Sequence, residues 1–82
     1  MIFVDEPTAV EAHFHDDGAI RVHSFTWNGQ RLRVSDQGRN WTDEDGRHIL
    51  VMVAGSAVFE LRFDPATGAW RIIRAPDNLG VA

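Results

Sequence analysis

Short runs of alternating apolar and polar residues, separated by clusters of turn-forming residues, fill this chain from Ala9 to Arg74. Val10, Ala12 and Phe14 alternate with Glu11, His13 and His15, the pattern of a strand with one buried face. Asp16-Asp17-Gly18 fits a three-residue hairpin loop with glycine in the left-handed position. That loop sets Phe14 opposite Ile20 and Ala12 opposite Val22, apolar against apolar. It also sets His13 opposite Arg21 and Glu11 opposite His23. A two-residue loop would place Phe14 against Arg21 instead, so the pattern selects the longer one.

The next strand changes phase. Ile20 and Val22 are apolar on one parity, Phe25 and Trp27 on the other, which predicts a bulge or sharp bend near His23-Ser24. Asn28-Gly29 is a strong type I′ hairpin signal, pairing Phe25 with Leu32 and His23 with Val34. After Val34 the chain turns polar, and Ser35–Arg47 reads as a loop carrying Trp41 and the acidic turn Asp43-Glu44-Asp45-Gly46. His48–Ala54 is apolar on both parities, as in a central strand or one that contacts another chain. Gly55-Ser56 turns the chain into Ala57–Phe63. Asp64-Pro65-Ala66-Thr67-Gly68 turns it again, into Trp70–Arg74, with Trp70 and Ile72 on the face of Leu61 and Phe63.

These elements predict an all-β fold, a small bent antiparallel sheet of about five or six strands closing partly into an SH3-like barrel. The expected division is an N-terminal segment 1–8, one domain 9–75 and a C-terminal tail 76–82. Length agrees, since 82 residues make one domain, and the 44% apolar content with three Trp and five Phe supplies a modest core. There is no cysteine, which excludes disulfides and thiolate metal sites. Met1–Val4 is too short an apolar stretch for a signal-peptide core or a membrane span, so the expected location is cytoplasmic, with no membrane partner.

Charge narrows the chemistry. A net charge of −4 argues against coating nucleic acid through bulk charge. All eight basic residues, however, are Arg, the side chain suited to planar bidentate contacts. Trp27, Arg31, Arg33, Arg39 and Trp41 gather around the Asn28-Gly29 hairpin and the segment after it. Aromatic platforms flanked by Arg bind single-stranded nucleic acid and also build protein–protein hot spots; packing of both Trp residues into the core or its rim is the plainer reading. A second cluster, His13, His15 and His23 with Glu11, shares one face of the first hairpin. It is a candidate metal-ligating set, against which stand Arg21 in the same patch and the ordinary reading of a solvated face. The Asp43–Gly46 turn lacks the ligand series of an EF-hand. There is no nucleophile elbow, phosphate-binding glycine loop or His-Glu-x-x-His, and the expectation is a protein without enzymatic activity and without a cofactor.

Phe25-x-Trp27-x-Gly29-x-x-Leu32-x-Val34, then Trp41, Phe59-Glu60-Leu61 and Asp64-x-x-Thr67-Gly68-x-Trp70 resemble a small uncharacterised bacterial all-β domain family found beside Y-family translesion DNA polymerases. The resemblance spans about Val10 to Arg74 and rests on turn and core residues. The family's loop is longer and richer in Trp and Arg than Ser35–Arg47 here. The resemblance implies a non-enzymatic binding or accessory module linked to DNA damage tolerance, docking a protein or single-stranded DNA. The alternatives are a metal- or pH-responsive His face, or a structural homodimer formed through His48–Ala54.

Overall fold

In the computed structural model, which describes residues 1–77, seven strands form one antiparallel sheet: β1 (Ile2–Pro7), β2 (Val10–Phe14), β3 (Ile20–Trp27), β4 (Gln30–Asp43), β5 (Gly46–Val53), β6 (Ala57–Asp64) and β7 (Ala69–Ala75). The pairing order is β1-β7-β6-β5-β4-β3-β2. The fold is all-β, with seven strands where the alternation predicts five or six, and its ladder does not close into a barrel. The additional strand is β1, in the segment 1–8 that the sequence sets apart. The expected tail 76–82 lies outside the described residues from 78 onward. No helix among the described residues is long and apolar enough to cross a membrane.

The first hairpin has the expected register, with Phe14 opposite Ile20, His13 opposite Arg21 and Ala12 opposite Val22. Gly18, at φ 91°, takes the left-handed position, while His15 N–H donates to Ala19 O at 2.8 Å and Gly18 N–H to His15 O at 3.0 Å. The ladder then shifts, so that Glu11 faces Ser24 rather than His23. His23 is the extra residue, and the phase change between Val22 and Phe25 is this bulge. Asn28 and Gly29, at φ 51° and 77°, form the type I′ turn, and Phe25 faces Leu32.

The expected pairing of His23 with Val34 does not form. β4 leaves β3 after Ser24–Arg33 and joins β5 from Val34–Val53 onward. Where β3 and β4 part, the side-chain amide of Gln37 takes the place of a strand partner. Its Nε2 donates to Ile20 O at 2.6 Å, and its Oε1 accepts from Val22 N–H at 2.9 Å. Ser35–Asp43, expected as loop, is therefore the second half of a 14-residue strand. Two register shifts, at Val34/Asp36 and Gln37/Asn40, break its alternation and hide it from a period-two reading. Only Glu44 and Asp45 separate it from β5.

β5 is central, hydrogen-bonded to β4 on one side and β6 on the other. Ile49, Val51 and Val53 enter the core, while Leu50 and Met52 are half-buried on the outer face. Leu61 faces Ile72 and Phe63 faces Trp70, as the alternation predicts. The core centres on Phe25 and Phe59, both fully buried with ring centroids 4.9 Å apart, edge to face. Such a pair adds about 0.5–1.5 kcal/mol beyond its burial.

β1 and β2 end the pairing order at opposite sides yet are consecutive in the chain. Thr8 joins the two sides. Its N–H donates to Trp70 O at 3.2 Å, and its hydroxyl donates to Thr26 O at 2.8 Å. Phe14 of β2 packs edge-on against Phe63 of β6, centroids 5.1 Å apart. Within β1 a register shift between Phe3 and Glu6 places Asp5 at φ 44°, a conformation an Asp adopts more readily than most residues. Arg71 clamps it, Nε donating to Asp5 Oδ1 and Nη2 to Asp5 O, each at 2.7 Å.

Candidate functional site

The ladder registers dictate which side chains share the outer face of β4–β7. Trp41 faces His48, and His48 faces Arg62. One step along, Leu50 faces Glu60, Glu60 faces Arg74 and Arg74 faces Phe3. These two rows and Arg39 line a groove of about 630 Å³.

At its floor His48 is held between two carboxylates. Nδ1 lies 2.8 Å from Glu60 Oε2 and Nε2 lies 2.9 Å from Asp43 Oδ2. The first is an aligned hydrogen bond; the second is a close ion-pair contact off the N–H axis. His48 and Glu60 are buried, their side chains 8% and 6% exposed. Both contacts are attractive only for a ring with both N–H protons, because a neutral imidazole turns a lone pair toward one of its neighbours. Arg74 Nε, 3.6 Å from Glu60 Oε1, adds a positive group. Trp41 lies parallel to the imidazole, centroids 5.0 Å apart at 7°, and the Arg39 guanidinium sits 5.0 Å from the Trp41 ring centre, a cation–π contact.

Burial opposes ionisation of Asp43, but it is outweighed by the backbone N–H groups of Asp45 and Gly46 and by the close contact with His48. The net effect holds the Asp43 carboxyl below its ordinary value of 3.8. The stabilisation from a carboxyl with lowered pKa is present above the unfolded-state value and lost as pH falls through the folded one. Asp43→Asn should therefore be less stable than the parent at neutral pH, and the difference should shrink as pH falls below about 4. Urea unfolding of both proteins at neutral and acid pH measures this, and a difference independent of pH would contradict it.

The trio resembles catalytic constellations only in its residue types. Both imidazole nitrogens face carboxylates and one ring face lies against Trp41, so no nitrogen is left to take a proton from a nucleophile. Ser24, Ser35 and Ser56 do not line the groove.

The five Trp and Arg candidates do not share one surface. Arg39 and Trp41 belong to this groove, whereas Trp27, Arg31 and Arg33 line a separate one of about 360 Å³ with Leu32 and Val53. Trp27 is half-buried and packs on Phe59, centroids 5.5 Å apart. Arg31 Nη1 donates to Ser24 Oγ at 2.9 Å and lies 3.5 Å from Glu11 Oε1. Of the histidines, exposed His13 and His15 have ring centroids 4.4 Å apart, while His23 sits at the bulge. Among the described residues no three His, Asp or Glu side chains are placed to hold a metal ion.

His48, Glu60, Arg62, Arg74 and Phe3 are site residues that the sequence does not single out, His48 being taken only as the start of an apolar run. A signal was available. Glu60 is the one charge between Phe59 and Leu61, and the register of the Gly55-Ser56 turn sets it opposite Leu50, beside His48. No family model, curated protein or solved structure matches the chain.

Proposed function

We propose that this protein is a non-catalytic binding module whose outer-face groove docks an anionic partner. The observation that carries this reading is Arg62. Its Nε is buried without a hydrogen-bond partner, and among the described residues neither Arg62 nor Arg39 has a carboxylate within 4.0 Å. That nitrogen itself lies out of a partner's reach, but the Arg62 side chain is half-buried and lines the groove, so its unpaired charge is open to an anionic group brought by a partner. By contrast, Asp5, Asp43 and Glu60 are engaged by Arg71, His48 and Arg74, which leaves Asp45 as the one carboxylate lining the groove without such a partner among the described residues.

Single-stranded DNA is the first partner to test. Its phosphates suit the two guanidinium groups, and Trp41 and Phe3, the latter 69% exposed, offer aromatic surface for bases. A single-stranded oligonucleotide titrated at low salt should quench Trp fluorescence, with affinity falling as salt rises. Arg39→Ala/Arg62→Ala should weaken binding by about tenfold or more, and Trp41→Phe should remove most of the quench. Binding of a poly-glutamate peptide but not of the oligonucleotide would transfer the reading to an acidic protein partner. Binding of neither at low salt would remove it.

A further inference from the structure

We infer that β1 is an edge at which two copies of this chain pair, antiparallel about a two-fold axis near Phe3. β1 ends the pairing order, so among the described residues one side of its backbone has no ladder partner. Exposed large apolar side chains are few, and three are consecutive here: Met1 at 52%, Ile2 at 48% and Phe3 at 69%. Soluble proteins commonly protect such an edge with charge, proline or a bulge. On β1 these come only at Asp5 and beyond, since residues 1–4 carry no charged side chain. The other edge, β2, carries Glu11 and His13, and its Phe14 rests on Phe63. The apolar strand β5 has both sides hydrogen-bonded and offers no backbone to a second copy.

The charge pattern selects an identical strand in one orientation. Antiparallel pairing centred on Phe3 sets Phe3 against Phe3 and Ile2 against Val4 of the second copy. It carries the Asp5-Glu6 carboxylates of the two copies to opposite ends. Parallel pairing would set those carboxylates side by side. A strand that is apolar at one end and acidic at the other thus complements itself, and the resulting two-fold contact closes at the dimer. The Asp5 bulge, fixed by Arg71, limits the shared ladder to the residues before it. The contact is accordingly short and should form reversibly with concentration. Phe3 also borders the groove, so a second copy and a groove partner meet at that side chain.

Sedimentation velocity of the full chain, from low micromolar to submillimolar concentration, should show monomer giving way to dimer and no larger species. Backbone amides of residues 2–4 should exchange with deuterium more slowly at the higher concentration. Phe3→Lys should keep the circular dichroism spectrum of the parent and remain monomeric throughout, while His13→Lys on β2 should dimerise like the parent. A parent that stays monomeric, a Phe3→Lys variant that dimerises undiminished, or growth beyond the dimer would each overturn the inference.

Discussion

Replacing Gly46 by alanine should lower the unfolding free energy by about 3 kcal/mol or more, a large fraction of what a domain of this size has. Gly46 opens β5 at φ 139°, a region that L side chains rarely enter. An added Cβ would fall far inside contact distance of Phe63 O and 3.1 Å from Phe63 C. Both atoms belong to the backbone of β6, so no rotamer change relieves the clash. The start of the β5–β6 ladder, where Arg47 faces Phe63, must part. Gly29→Ala is the control. Gly29 also has positive φ, at 77°, but nothing lies within 4 Å of the new Cβ, so only the backbone cost of about 1–2 kcal/mol applies. Equilibrium urea unfolding of the two variants separates the effects, and equal losses would show that the approach to Phe63 contributes nothing.

His48→Leu should cost about 3–5 kcal/mol. It leaves Glu60, only 6% exposed, with Arg74 at 3.6 Å as its remaining cationic neighbour. It also removes the partner of Asp43 and the parallel contact with Trp41. Most of the loss is the penalty of a buried carboxylate left with only the longer Arg74 contact, rather than the worth of the pair. Removing both groups, as in His48→Leu/Glu60→Leu, should then restore much of the stability. Urea unfolding of the parent, both single variants and the double completes the cycle. A double variant that loses the sum of the two single losses would show the groups to be uncoupled.

The turns were legible because their chemistry is local. Asp16-Asp17-Gly18 and Asn28-Gly29 each set a register, and the change of parity between Val22 and Phe25 located the bulge at His23. β4 was not legible beyond Val34 because its outward residues are polar and two bulges interrupt the alternation. β1 escaped for a different reason. Ile2-Phe3-Val4 is continuously apolar, and the bulge at Asp5 removes the rest of the pattern. The site was legible only in part. Trp41 and Arg39 were chosen for their chemistry, but their neighbours depend on β4 being a strand, since that alone sets Trp41 beside His48. The Asp43–His48–Glu60 trio joins three strands, β4, β5 and β6, through side chains. A reading of one strand at a time cannot assemble it.

The passage of the chain through Thr8, from one side of the sheet to the other, has a consequence for synthesis. The hairpins from β2 to β7 join neighbours in sequence and can form in order as they emerge from the ribosome. β1 cannot, because its partner is β7 and the clamp on Asp5 comes from Arg71, 66 residues later. At roughly 5–20 residues per second, the apolar start of the chain waits several seconds without its strand partner while the rest of the sheet is made. Thr8 ties the first strand to the last one completed, so newly made chains expose that segment longest when translation is slow.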